Sequence, residues 1–192
     1  EWAIAGYDVR HKLALLGVWE LPFFNNSTGL TRTILGGWQL AGSAIFQTGN
    51  PINITRGGSF PSGDYNADGN GGDRPNAPAS SVKTSGWSQE EYLAGIFKVS
   101  DFPAPPPGQN GNLVRNAYRG PGYADVSLSV SKKFQMTARV TTEFRVDAFN
   151  AFNHPAFGNP SGGFGSATFG QVTGMATAYS ARLVRFGARI MF

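Results

Sequence analysis

The chain has no cysteine, which excludes a disulfide framework and any thiolate metal site. Histidine occurs only at His11 and His154. Neither belongs to a His-x-x-x-His spacing, so a transition-metal centre is not expected. Charge is scarce as well: charged residues make up 15% of 192 positions, against about a quarter in ordinary soluble domains. The net charge of +4 is scattered, with no basic run interleaved with aromatics, so nucleic acid is not an expected partner. No run of eighteen or so apolar residues occurs, which excludes a membrane-spanning helix. It leaves a membrane barrel open, because barrel strands show only a weak alternating signal. The first residue is Glu1, with no initiator Met and no signal peptide ahead of it. The expectation is a piece of a longer chain or a processed product.

What is present is glycine, proline and aromatic side chains: 26 Gly, 12 Pro and 13% Phe, Trp and Tyr. That profile suits an all-β protein with long loops. Alternation of period two marks the strands. Leu13, Leu15, Gly17, Trp19 and Leu21 share one side of a first strand, which Pro22 closes. Asn25–Gly29 is a turn cluster. Trp38, Leu40, Gly42, Ala44 and Phe46 share one side of a second strand. Ala124, Val126, Leu128 and Val130 alternate with Asp125, Ser127, Ser129 and Ser131 in a third, and Lys132–Gln135 is expected to be a tight polar turn. From Thr137 to Phe149, apolar residues alternate with Arg139, Thr141, Glu143, Arg145 and Asp147. The last strand places Val184, Phe186, Ala188, Ile190 and Phe192 opposite Arg185 and Arg189.

The expected fold is therefore all-β: an antiparallel up-and-down meander of about five strands, near 7–21, 37–48, 123–134, 137–150 and 181–192. Two long loops, 55–121 and 151–179, fall on one side. The first is expected to be irregular apart from one short helix. There, Ser88-Gln89-Glu90-Glu91 forms a capping box ahead of Tyr92-Leu93-Ala94. A structureless loop of that length argues against a compact soluble domain but is ordinary at one end of a membrane barrel.

Catalytic patterns are missing, and no enzyme is expected. Glu143 and Asp147 share a strand face about 13 Å apart by strand rise, too far for glycoside hydrolysis. No serine sits in Gly-x-Ser-x-Gly with a credible base. Gly71-Gly72 and Gly162–Gly165 are not followed by the Lys-Ser/Thr of a phosphate loop. The sharpest ligand pattern is Asp64, Asn66, Asp68 and Asn70, with Gly69 in sixth place and Asp73 further on. Oxygens at alternate positions around a glycine bend resemble the first half of a calcium loop. Pro75 occupies the place of its bidentate glutamate. A solvated turn stack is the other reading. Calcium is the one cofactor the residues suggest, as a brace for an external loop.

The closing octet, with Arg185, Gly187, Ile190 and terminal Phe192, resembles the assembly signal of outer-membrane β-barrels. Upstream stand Asp8–His11, Gly37–Gly42, Asn112–Asn116, Arg119–Gly122, Asp125–Ser129, Lys133-Phe134, Phe149–Pro155, Phe157–Pro160 and Phe169-Gly170. In that order they resemble the C-terminal end of TonB-dependent receptors, in particular the Oar-like type with a carboxypeptidase-regulatory-like N-terminal domain. The resemblance implies that residues 1–192 are the C-terminal segment of a barrel of about twenty-two strands in the outer membrane of a Gram-negative bacterium. Taken alone, the segment would be an open curved sheet. The implied partners are membrane lipid, the remaining barrel and its plug, the barrel-assembly machinery, and TonB through an N-terminal part this segment lacks. In such a barrel Asp125, Arg139, Glu143, Arg145, Asp147, Arg185 and Arg189 would face the lumen. Trp19 and Trp38 would sit in an interfacial belt. The competing expectation is a secreted or soluble β-sandwich binding module, lectin-like and calcium-dependent.

Overall fold

The computed structural model describes residues 2–176 and 181–192. The end of the expected loop 151–179, from position 177 onward, lies outside the described residues. In chain order the elements are β1 (Lys12–Glu20), α1 (Gly29–Leu35), β2 (Trp38–Gln47), β3 (Pro51–Ile52), α2 (Gln89–Ala94), β4 (Tyr118–Arg119), β5 (Tyr123–Gln135), β6 (Thr141–Phe149) and β7 (Leu183–Met191). A 3-10 turn covers Val99–Asp101. Two units divide the chain. One comprises Lys12–Phe46, Ala124–Pro155 and Ser180–Phe192; the other comprises Glu1–His11, Gln47–Tyr123 and Ala156–Tyr179.

The first unit is a sheet in the order β1-β2-β5-β6-β7, the expected five-stranded meander. The N–H of Leu21 donates to Trp38 and that of Thr48 to His11, which sets β1 and β2 antiparallel. Strands β5, β6 and β7 pair antiparallel in a continuous register. Side chains in register across neighbouring strands point to the same side of the sheet. One side therefore carries the rows Leu128–Ala148–Val184, Val130–Val146–Phe186 and Phe134–Thr142–Ile190. The other carries Ser129–Asp147–Arg185, Ser131–Arg145–Gly187 and Lys133–Glu143–Arg189.

Three sequence expectations are corrected here. The turn between β5 and β6 is not at Lys132–Gln135 but at 136–140. The Thr137 hydroxyl accepts from the N–H groups of Arg139 and Val140 and closes the turn there. Lys132 stays within β5 because its ammonium finds carbonyls to bond, as described below, and Lys133 pairs with Glu143. Arg139 consequently lies in the exposed turn and not on the polar strand face. The third correction is helix α1, which follows the Asn25–Gly29 turn cluster. Leu30 and Ile34 lie one helical turn apart, and Gly37, with φ at +69°, stops the helix.

Between 55 and 121 the second unit is irregular as expected, apart from α2, the 3-10 turn and the two residues of β4, but its side chains pack into a core. Ile52, Ile54, Phe97, Phe102, Leu113, Tyr118, Phe164 and Phe169 form a buried cluster. Phe97 is its hub, with the rings of Trp87, Phe102, Tyr118 and Phe169 at centroid distances of 4.8–6.0 Å. Strands β3 and β4 pair antiparallel through Pro51↔Arg119 and Ile52↔Tyr118. Gly49 has no side chain because a Cβ there would run into the Gly120 carbonyl. Helix α2 carries the expected capping box: the Ser88 hydroxyl accepts from the Glu91 N–H, and the Glu91 carboxylate accepts from the Ser88 N–H. That second bond holds the Glu91 carboxyl below its ordinary pKa.

Candidate functional site

The polar side of the sheet is the first candidate. Asp125, Glu143, Arg145, Asp147, Arg185 and Arg189 all lie in strands, at positions of one parity within each strand. Opposite charges meet in register at Glu143↔Arg189 and Asp147↔Arg185. Along β6, Arg145 Nε donates to Asp147 Oδ1 at 2.7 Å. The Ser127 hydroxyl donates to Asp125 Oδ1 at 3.3 Å, and that of Ser131 to Gln39 Oε1. The result is a mixed-sign ladder. It wets one side of the sheet and lets neighbouring charges offset one another.

The opposite side is apolar and exposed. Leu13, Leu15, Trp19, Phe46, Leu128, Phe144, Val146, Val184, Phe186 and Ile190 are all exposed. A patch of that extent does not stay uncovered in water. Trp19 and Trp38 lie on adjacent strands at the short-connection end, and Phe23 packs edge-on against Trp19. Lys132, whose row neighbours are Phe144 and Ala188, is on this apolar side yet buried. Its Nζ donates to the carbonyls of Ile34 and Gly36 at the end of α1 and lies over the rings of Trp38 and Phe134. Sequence reasoning missed this residue. Its one signal is a lysine in phase with Leu128 and Val130.

The Asp64 loop is held by its own backbone. Asp64 is buried. Its two carboxylate oxygens accept from the N–H groups of Asp68 and Gly69, each at 3.0 Å. Asp73 Oδ2 accepts from Tyr65 and Asn66, and Asp68 Oδ1 from Asn70. The Asn70 N–H bond, with the Asn66 amide, holds the Asp68 carboxyl below its ordinary range. Asn66 also donates to Asn110. Among the described residues no three His, Asp or Glu side chains converge to hold a metal ion. The alternating oxygens form an Asx-turn network.

Several segments that carried the family resemblance prove to be loop braces. Arg119 is buried, and its guanidinium donates to the Gly49 and Asp8 carbonyls and pairs with the Asp8 carboxylate. The Asn116 amide donates to the Ile4 carbonyl at 2.6 Å, and the Asn159 amide to that of Pro51 at 3.0 Å. Asn150 clasps the backbone of His154 from both sides. Asn116, Asn150 and Asn153 all have positive φ, a conformation asparagine tolerates better than most residues. Both histidines contribute only backbone groups to these bonds.

At the end of the chain, Arg185, Gly187 and Ile190 lie in β7, an outer strand of the sheet, and Phe192 follows it fully exposed. Compared with known proteins, the chain matches the family described as outer membrane beta barrel domain over residues 1–185. No curated protein and no solved structure matches it.

Proposed function

The chain belongs to the outer-membrane β-barrel family, and from that premise we propose that it forms the C-terminal barrel wall of a TonB-dependent receptor of the Oar-like type. The apolar side of the sheet meets lipid, and the charged ladder from Asp125 to Arg189 lines the lumen. Five strands fall short of the eight or so that a closed membrane barrel needs. The outer strands β1 and β7 therefore pair with further strands of the same barrel. Phe192 marks the end of the segment for the assembly machinery.

The observation that carries the receptor reading is the packed loop unit. A passive pore needs only short or mobile outer loops, whereas a receptor must hold a ligand-binding surface in shape. Here the long connections have an aromatic core of their own. A β-sandwich module is disfavoured, because the other described sheet has two strands of two residues and cannot cover the apolar side of the large one.

Uptake tests the receptor reading. Cells carrying the full-length protein are given labelled siderophores, saccharides and peptides, with and without TonB. Accumulation of one class that stops without TonB is expected; passage unchanged by loss of TonB would sink the reading. Removal of Phe192 is expected to lower the amount of folded barrel in the outer membrane. An unchanged amount would show that Phe192 is not an assembly mark.

A further inference from the structure

Strand β1 has no polar side along its middle. From Leu13 to Trp19 every residue is apolar or glycine, and the whole strand is exposed. A run of that kind marks a strand covered on both sides. Lipid covers one of them. The bonds from Leu21 N–H to Trp38 and from Thr48 N–H to His11 fix the register of β1 on β2. They place Leu13, Leu15 and Trp19 on the lipid-facing side. Ala14, Leu16 and Val18 fall on the other side, in register with Ile45, Ser43 and Ala41 of β2. That other side is the lumen side, because Gln39 shares it and its Oε1 accepts from Ser131 of the polar ladder.

Ala14, Leu16, Val18, Ala41 and Ile45 thus make an apolar strip inside the lumen. Leu16 is 89% exposed and Val18 67%. On β5, β6 and β7 the same side of the sheet holds Ser129, Asp147 and Arg185 in one row. One wall of the lumen suits water and the other does not. Charges bound the strip: Lys12 at the start of β1 and Glu20 at its end. They stand about 26 Å apart by strand rise, and neither forms an ion pair among the described residues. An apolar strip rimmed by polar groups is a docking surface. Lipid lies on the opposite side of the sheet, and a second copy cannot enter a closed barrel. A passing solute would cover the strip only during passage and leave it wet otherwise. The occupant is therefore resident in the lumen and carried by the barrel's own chain.

We propose that this strip is the fixed seat of the plug, the part of the same chain that the receptor reading places inside the barrel, and that the water-filled passage runs along the β5–β7 wall. The plug lays an apolar face on Leu16 and Val18, with an acidic group toward Lys12 and a basic group toward Glu20. It keeps this hold while its contacts with the wall of Ser129, Asp147 and Arg185, which water can replace, come apart. The proposal rests on the receptor reading and adds which wall holds and which wall opens.

The test uses the full-length protein on a cysteine-free background, in lipid vesicles. Spin labels are placed at Leu16→Cys and Val18→Cys on the seat, at Ser129→Cys on the passage wall and at Val146→Cys as lipid reference. Labels at 16 and 18 are expected to be shielded from both oxygen and a nickel chelate, as inside protein. The label at 129 is expected to be open to nickel, and that at 146 to oxygen alone. Nickel accessibility at 16 and 18 equal to that at 129 would overturn the seat, and so would oxygen accessibility equal to that at 146. Shielding at 129 as complete as at 16 and 18 would overturn the division into two walls. A benzophenone crosslinker at Val18 gives a second readout in intact cells. Its product is expected to join Val18 to a peptide of the same chain outside residues 1–192; a product with residues 47–123 or with a separate protein would overturn the proposal. Uptake that still depends on TonB while 16 and 18 are open to nickel would sink the seat and leave the receptor reading standing. Uptake indifferent to TonB would sink the receptor reading itself.

Discussion

The two units of this chain place the same kind of side chain in opposite settings. In the sheet, Phe186 is 82% exposed and nearly every large apolar residue of β7 is open. In the loop unit, Phe102 is 1% exposed inside a ring of aromatics. The loop unit solves the hydrophobic problem internally, as a water-facing body must. The sheet leaves it to its surroundings, which is stable only where those surroundings are lipid. Polar groups invert in the same way. In the loop unit they are buried and bonded to backbone, as at Arg119 and Asp64. In the sheet they form an exposed ladder along one side.

The largest break in this contrast is expected from Phe97→Ala. It removes the hub of the loop core and should destabilise that unit by about 3–5 kcal/mol, as for large-to-small changes in cores. Limited proteolysis of the full-length protein in its membrane should then cut within 47–123 while the barrel stays assembled. Loss of the barrel along with the loops would show that the two units do not fold separately. Next in size is Val146→Arg on the apolar side of β6. A charge at the membrane midplane costs about 2–4 kcal/mol in such barrels, read as a lower unfolding midpoint in lipid vesicles. The same substitution should cost nothing comparable on a water-exposed surface, so an unchanged midpoint would contradict the lipid assignment.

The smallest effect is expected at the turn network. Asp64→Ala removes the acceptor of the Asp68 and Gly69 N–H groups, a loss of about 0.5–1.5 kcal/mol per hydrogen bond where the freed N–H can turn to water. Hydrogen exchange at these two amides should speed up, and added calcium should not slow it in the native protein. Slowing by calcium would establish the metal reading. The Asp68 carboxyl is held below its ordinary range by its hydrogen bonds. The stabilisation it gives is therefore present above the ordinary carboxylate pKa and lost as pH falls through its own lower one. Protection of the loop amides, taken relative to the free-peptide exchange rate at each pH, should fall on acidification, with a midpoint below that of a free aspartate.

Much of the sheet was legible because alternation is local. Strands β2, β5, β6 and β7 and their two sides follow from residue type at every second position. The capping box of α2 was legible for the same reason, since Ser88 and Glu91 act across three residues. Helix α1 was not, because a helix that buries nothing leaves only a single Leu30–Ile34 pair as its pattern. The place of the β5–β6 turn was misjudged because two lysines look like turn residues until one of them is seen bonded to helix carbonyls. At the Asp64 loop, calcium coordination and turn formation call for the same oxygens at the same spacing. The backbone N–H groups pointing at those oxygens show the turns, and residue spacing does not reveal them.

Residue type and order, by themselves, determine that this chain forms amphipathic strands, which side of each is greasy, and where the long connections fall. The physical reason is that successive Cβ atoms on a strand point to opposite sides. Tertiary structure alone decides that those long connections are a packed body. Phe97, Phe102, Phe164 and Phe169 follow no period, and their contacts span up to some seventy positions of chain. Tertiary structure alone also decides that Lys132, in phase with the greasy row, is spared lipid by the end of a helix almost a hundred residues earlier.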